Sequence, residues 1–170
     1  TARSKVEKTV KFEQFEFLRQ NLLAKVEAND RFADIKNADK LHPLVLAYIG
    51  DTVFSLYVRL RLLDYEQNKV QVLHNFSAKI VSATGQAAAM RLLEDELTDK
   101  ERSVFRRGRN TSSAVPKSAC VADYRLSTGF EALLGYWYLN GDNSRLEEML
   151  EKAFLITIEK INENKRERLS

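Results

Sequence analysis

The chain is poor in the residues that restrict a fold or build the commonest metal clusters. Cys120 is the only cysteine among 170 residues, which excludes an intrachain disulfide and a cysteine-based zinc cluster. Two prolines and six glycines leave few helix breakers, so we expect an all-α protein. No apolar run approaches the roughly 20 residues of a membrane span, and the N-terminus has no signal-peptide core. We therefore expect no membrane partner and a cytoplasmic location, or an organellar one if a targeting segment was removed before Thr1.

Composition and charge are those of an ordinary globular domain. Hydrophobic residues make up 44% and charged residues 30% of the sequence, and the length suits one compact domain with a real core. A net charge of +3 with a pI near 8.9 permits an anionic partner without requiring one. Local charge clusters must therefore indicate any such partner.

Apolar residues recur at helical spacing along most of the chain. The first predicted helix carries Phe12, Phe15, Leu18, Leu22 and Val26 on one face. The stretch from 43 to about 63 is apolar nearly all round, which predicts a helix central to the core. A further helix over 73–81 continues or kinks at a glycine into 87–93, and the last helix frays in the charged tail from 163 to 168.

Helix ends are marked by capping patterns. Thr98 with Glu101, and Ser144 with Glu147, have the spacing of a capping box. Gly108 is placed to end the helix that starts after Thr98. The two histidines have no ligand partner at a suitable spacing, so we interpret them as surface or capping residues.

Two acidic residues stand inside otherwise apolar or small-residue helical stretches. Asp51 lies in the middle of the predicted core helix, and Glu131 lies in a later stretch of the same character. Burying an ionised carboxylate is costly without a compensating cation or hydrogen bond. Two such acids on different helices suggest a shared metal ion, while the alternative for each is a structural acid paired with an arginine or hydrogen-bonded in the core.

A second polar cluster runs from 106 to 117 and is predicted to be a loop. Its candidate RNA-binding residues are Arg106, Arg107, Arg109, Asn110 and Lys117. Arginine forks match phosphate oxygens, and asparagine adds a neutral donor, so the cluster suits a nucleic-acid backbone. The alternative is a solvated helix end, where basic residues complement the helix dipole.

Several segments resemble a known family. Residues 48–54, Tyr-Ile-Gly-Asp-Thr-Val-Phe, look like the signature helix of ribonuclease III catalytic domains, and 130–135, Phe-Glu-Ala-Leu-Leu-Gly, look like their second acidic helix. Segments 44–59, 80–83 with 86–87, 107–110 and 124–128 resemble Mini-ribonuclease III more narrowly. This short branch has the catalytic domain without a double-stranded-RNA-binding domain. The resemblance spans about residues 41 to 155.

The resemblance implies a ribonuclease III-like helical bundle that hydrolyses double-stranded RNA with Mg²⁺, for which Mn²⁺ can substitute. Asp51 and Glu131 would be the catalytic residues and metal ligands. Larger family members carry further carboxylates where this chain has Ala47 and Thr128; the short branch shares that departure, and Thr128 would act through a water. The signature helix also forms the family's homodimer contact, with Tyr48 as our candidate at the interface.

The resemblance also implies a domain organisation and a substrate. We expect an N-terminal helical extension over 1–38, the catalytic domain over 39–165 and a charged tail over 166–170. The implied substrate is precursor 23S ribosomal RNA, with a large-subunit ribosomal protein assisting. The alternative is a non-catalytic, ribosome-associated RNA-binding protein that keeps the fold, favoured by the missing carboxylates.

Overall fold

The computed structural model describes residues 37–111 and 120–167, together with Glu13, residues 16–24 and Val26. The chain divides into two compact units, Thr1–Ile35 and Lys36–Ser170. In the first unit the described residues are helical, and Arg19 pairs with Glu16 at 2.9 Å within one helical turn. Phe12 and Phe15 of the predicted first helix lie outside the described residues.

Within the described part of the second unit all regular structure is helical, which confirms the all-α prediction. There are two short 3-10 turns, Ala38–Lys40 and Glu94–Glu96. The α-helices are α1 (Pro43–Leu63), α2 (Val70–Ile80), α3 (Ala83–Leu93), α4 (Asp99–Asn110), α5 (Val121–Asn140) and α6 (Asn143–Glu167).

Two helix starts follow the predicted capping chemistry. Pro43 occupies the first turn of α1, and Nδ1 of His42 accepts a hydrogen bond from the backbone N–H of Leu44 at 3.2 Å. At the start of α4, the backbone N–H of Thr98 donates to Glu101 at 2.8 Å, and the backbone N–H of Glu101 donates to the Thr98 hydroxyl at 3.4 Å. This reciprocal pair confirms the first capping box.

The second capping box was a wrong prediction. The last helix begins at Asn143, and the Asp142 carboxylate accepts from the backbone N–H of Arg145 at 3.4 Å. Ser144 is therefore already inside the helix, because the acid two residues earlier serves as the cap. The helix also continues through Glu167 instead of fraying from residue 163.

The break between α2 and α3 precedes the predicted kink. α2 ends at Ile80, and the hydroxyl of Ser82 accepts from the backbone N–H of Gly85 at 3.1 Å to cap α3. Gly85 is thus inside the first turn of α3. Ser82 is the N-cap of α3, so the break between the two helices lies before Gly85 and not at it.

The core is organised around α5 and not around α1. α5 packs against α1, α3, α4 and α6 and buries Phe130, Leu133, Leu134 and Trp137. Its Phe130 ring meets Phe54 of α1 edge to face, with ring centroids 5.4 Å apart. These contacts bury one face of α1 only.

The opposite face of α1 is apolar and exposed. It carries Val45, Tyr48, Leu56, Leu60 and Leu63 at steps that keep them on one side of the helix. The prediction of a helix central to the core therefore holds for the face that packs on α5 and not for this one. α1 is long enough and, with a mean hydropathy of 1.3, apolar enough to cross a membrane, and core helices of globular domains meet the same criterion.

Candidate active site

Two glycines bring the backbones of α1 and α5 into direct contact. A Cβ atom on Gly50 would lie 1.8 Å from the carbonyl oxygen of Glu131, and one on Gly135 would lie 2.0 Å from the carbonyl oxygen of Leu46. Neither distance allows a side chain, so the crossing requires glycine at both positions. Because Asp51 follows Gly50, this contact places the two predicted acids beside each other.

Glu131 is partly buried at this crossing. Its Oε1 accepts a hydrogen bond from Nε2 of Gln86 on α3 at 3.0 Å. Burial raises the pKa of Glu131 to about 7, the Gln86 hydrogen bond opposes that rise, and the nearby charge of Asp51 adds to it. A carboxyl whose ionisation is resisted in this way favours a bound cation as its counter-charge.

Asp51 is exposed, which contradicts the prediction of a second buried acid. The residues at helical steps from it, Ala47, Phe54 and Val58, are buried, so Asp51 lies at the edge of the packed face of α1 and not on its exposed apolar face. Its effect on the pKa of Glu131 shows that the two carboxyls interact. One acid of the pair therefore comes from the core and the other from the surface.

No third acidic ligand joins the pair within the described ranges, where no group of three histidine, cysteine, aspartate or glutamate residues is positioned to hold a metal. Ala47 is buried beside the helix crossing. Thr128 is also buried, and its hydroxyl donates to the carbonyl oxygen of Tyr124 at 2.9 Å. The two positions that carry carboxylates in larger family members thus contribute packing and an intrahelical hydrogen bond.

The oxygen donors present fit a hydrated divalent cation. Mg²⁺ takes oxygen ligands and commonly binds through one or two carboxylates while it keeps several waters. Asp51 and Glu131 supply the carboxylates, and neither forms an ion pair with a lysine or arginine of the described segments. Oε1 of the neighbouring Gln86 is buried without a donor from those segments, and it is an acceptor that a water could satisfy.

The predicted arginine loop is wrong over its first half. Arg106, Arg107, Arg109 and Asn110 form the last turn of α4, and Lys117 lies outside the described residues. The composition resembled a loop, but the basic residues complement the negative end of the helix dipole and extend the helix.

The three arginines differ in the contacts that their side chains make. Arg107 donates from Nη1 to the carbonyl oxygen of Asp39 at 3.1 Å, while Arg109 lies over the ring of Phe105 and 3.9 Å from a carboxylate oxygen of Glu94. Arg106 is exposed and forms no hydrogen bond or ion pair with another described residue. Arg106 is therefore the arginine with most freedom to meet an incoming anion.

Gly108 positions this basic turn, and it is not the predicted C-terminal cap. It is buried inside α4, where a Cβ would lie 2.8 Å from Cβ of Ala132 and 3.0 Å from Cα of Gly129. The only positive-φ glycine among the described residues is Gly141, at φ 72°, which ends α5. The close approach at Gly108 holds the arginine turn against the segment of α5 that carries Glu131.

Sequence reasoning missed two polar groups of the interior. Gln86 belongs to segment 86–87 of the family resemblance and has no role of its own there, since its contact with Glu131 joins residues 45 positions apart. Glu101 was predicted only as a capping residue, yet it is buried and accepts hydrogen bonds from Trp137 at 3.1 Å and from Arg145 at 3.0 Å. Burial opposes ionisation of Glu101, but the hydrogen bonds from Arg145 and Thr98 and the charge of Arg145 outweigh it and lower its pKa, which is the behaviour of a structural ion pair.

Comparisons with known proteins agree with this architecture. The Ribonuclease III domain family matches residues 44–142. The chain is 46% identical over 112 residues to Mini-ribonuclease 3 of Thermoanaerobacter sp., which covers 65% of this chain and 79% of that protein. It is 47% identical over 120 residues to Mini-ribonuclease 3 of Symbiobacterium thermophilum, which covers 70% of this chain and 92% of that protein.

A solved structure shows the same fold. The crystal structure of a Fusobacterium nucleatum protein superposes with a TM-score of 0.61 at 23% identity, over 66% of this chain and 90% of that one. At this identity the likeness concerns the helical architecture, whose α1–α5 crossing positions Asp51 and Glu131.

Proposed function

Because the chain belongs to the Mini-ribonuclease 3 branch of the ribonuclease III family and is an endoribonuclease, we propose that it cleaves double-stranded RNA with Mg²⁺ bound between Asp51 and Glu131. The observation that carries this proposal is the Gly50–Gly135 crossing, which brings a partly buried glutamate, without an ion pair among the described residues, beside an exposed aspartate. Mn²⁺ is proposed as a substitute cation.

The different surroundings of Asp51 and Glu131 suggest different roles for the two carboxylates. Asp51 faces solvent, so it can meet an ion that arrives with a phosphate. Glu131 is held on one side by Gln86, and a bound cation would favour its ionised form, which burial resists. When bound, Mg²⁺ supplies activation of a water and stabilisation of the charge that grows on the phosphate.

The basic turn at the end of α4 is proposed to grip the RNA backbone. Arg106, Arg107 and Arg109 lie on the helix turn that Gly108 holds against α5, next to the residues around Glu131. Guanidinium groups bind phosphate oxygens in pairs of hydrogen bonds. Double-stranded RNA is recognised mainly through its backbone and 2′-hydroxyls, so these contacts should be largely independent of sequence. Asn110 and Lys117 are proposed as further RNA-binding residues.

The exposed apolar face of α1 is proposed to be the homodimer interface. Tyr48 is 74% exposed and Leu56 58% exposed, and an apolar face of this extent on a helix is typical of a protein-binding surface. A second copy is the occupant that completes a nuclease for duplex RNA, because a two-fold axis would present one pair of acids to each strand.

We propose the precursor of large-subunit (23S) ribosomal RNA as the substrate, with a large-subunit ribosomal protein as an assisting partner. The non-catalytic alternative is favoured by the absence of carboxylates at Ala47 and Thr128. The free-energy cost of burying Glu131 argues against this alternative, because burial resists its ionisation and no ion-pair partner is present among the described residues. A protein that only bound RNA would be more stable with an amide at that position.

Incubation of the protein with duplex RNA, with and without Mg²⁺, tests the function. Asp51→Asn should abolish cleavage while leaving the melting temperature and RNA binding nearly unchanged, because the change is almost isosteric and removes an exposed charge. Asp95→Asn, at an exposed acid of the 3-10 turn before α4, is the matched control and should cleave normally. Cleavage by Asp51→Asn at the parent rate would exclude the assigned site, and Mg²⁺-independent cleavage would exclude the metal.

A further inference from the structure

Gln86 is the most deeply buried polar side chain next to the site, with 1% of its surface exposed. Both hydrogens of its amide are used, since Nε2 donates to the carbonyl oxygen of Val81 at 2.9 Å and to Oε1 of Glu131 at 3.0 Å. Two acceptors around one nitrogen fix the orientation of the amide. Its Oε1 is the one buried side-chain nitrogen or oxygen atom among the described residues without a hydrogen-bond partner.

This arrangement would be energetically unfavourable if Gln86 served only to pack the core. A buried polar atom without a partner costs about 1 to 3 kcal/mol, and the flanking Ala87, Ala89 and Met90 show that α3 is otherwise apolar on its buried side. An apolar side chain of the same length would avoid that cost. What it could not supply is a neutral donor to an oxygen of the Glu131 carboxylate.

We propose that Gln86 is a positioning residue for Glu131. Its amide fixes one carboxylate oxygen by a neutral hydrogen bond and leaves the second oxygen, which has no hydrogen-bond partner in the described segments, directed to the cation site shared with Asp51. A glutamine suits this role better than a lysine or an arginine, because a cation at this position would neutralise Glu131 and compete with the metal. Outer-shell partners of this kind orient metal ligands in many proteins.

The inference rests on the proposed function, so its test reads metal binding directly. Binding of Mn²⁺ alone is measured by electron paramagnetic resonance for the parent, Gln86→Met, Glu131→Gln and the double variant. Methionine keeps the length and unbranched shape of glutamine and removes the donors. We expect Gln86→Met to weaken Mn²⁺ binding by about 10- to 100-fold. In the Glu131→Gln background it should have little further effect, because the residue acts through Glu131.

A matched control separates positioning from general packing. Thr157 is 1% exposed, donates to the carbonyl oxygen of Ala153 at 2.8 Å and packs against Gly85. Thr157→Val removes a buried hydrogen bond where α6 packs against α3. It should lower the melting temperature and leave Mn²⁺ affinity within about twofold of the parent, because its partners do not touch the acids.

A second measurement avoids the need for a folded variant. In the parent protein labelled with ¹⁵N-glutamine, the side-chain amide signal of Gln86 should move during a Mg²⁺ titration and report the same affinity as the site. A signal that stays fixed while Mg²⁺ binds would overturn the proposal. So would parent-like Mn²⁺ affinity in Gln86→Met, or an equal loss with and without Glu131.

The outcomes also separate this inference from the function it rests on. If Glu131→Gln binds Mn²⁺ as well as the parent does, the metal site itself is wrong and both proposals fall. If Glu131→Gln weakens binding and Gln86→Met does not, only the positioning role of Gln86 is overturned.

Discussion

Gly50→Ala should damage this protein more than any comparable exchange on its surface. The new Cβ would lie 1.8 Å from the carbonyl oxygen of Glu131, whereas ordinary contact begins at 3.4 Å, and that oxygen belongs to a helix backbone. α1 and α5 would have to separate by roughly 1.5 Å to admit it, a form of overpacking that typically costs about 1 to 3 kcal/mol. For a domain of this size that corresponds to a fall in melting temperature of about 2 to 12 °C.

The same separation would move Asp51 away from Glu131. A misplacement of about 1 Å can cost roughly 100-fold in rate, so cleavage should fall by at least that factor even in the folded fraction. Circular dichroism melts, Mn²⁺ binding and duplex cleavage at a temperature well below the transition measure the three consequences separately. Mn²⁺ affinity should fall together with the rate.

Gly141→Ala is the control, because its added Cβ would meet nothing within 4 Å although the backbone has a φ of 72°. It should cost about 1 kcal/mol through strain alone and leave metal binding and cleavage intact. A Gly50→Ala protein with the parent's melting temperature and activity would refute the argument that the crossing glycines assemble the site.

Three further predictions concern charge, RNA and assembly. In chelator the free energy of unfolding should fall as pH rises from about 4.5 to 7. Burial raises the pKa of Glu131, so in this range the folded chain holds more protons than the unfolded one. Urea titrations at several pH values should show a smaller pH dependence of this free energy for Glu131→Gln. Replacing Arg107 and Arg109 with alanine should weaken the binding of duplex RNA of unrelated sequences and leave Mn²⁺ affinity unchanged. The slope of log affinity against log salt concentration should decrease in magnitude by about two. An unchanged slope would mean that the two arginines only complement the helix dipole. Leu56→Glu should convert a dimer to a monomer in sedimentation, while Leu92→Glu, at a similarly exposed leucine of α3, should not; a parent that is monomeric at micromolar concentration would contradict the interface.

The helices could be predicted from the sequence because few residues oppose them. Periodic apolar positions and the caps at Pro43 and Thr98 gave α1 and α4 their correct starts. The structural role of Gly108 could not be predicted, because a glycine that permits close helix packing and a glycine that ends a helix look alike in a single sequence. Only the neighbour across the interface, Ala132, distinguishes the two roles.

The candidate site was predictable in its acids and not in their surroundings. Asp51 and Glu131 stood out as charges in apolar helical stretches, but the exposure of Asp51 depends on which face of α1 packs against α5. A helix that is apolar on every side carries no signal for that choice. Gln86 was hidden for a related reason, because its partner lies on another helix and a buried amide has no periodicity of its own.

The surroundings of Glu131 bear on the choice between an enzyme and an RNA-binding relative. Glu101 is also buried, but Arg145 and Trp137 bond to it, and its pKa is lowered; that acid stabilises the fold. Glu131 has a neutral amide instead, and its pKa is raised. The same fold therefore gives one acid an arginine as counter-charge and gives the other none among the described residues. Because a ligand that binds only the folded state stabilises it, Mg²⁺ should raise the melting temperature of the parent, and Glu131→Gln should remove most of that rise.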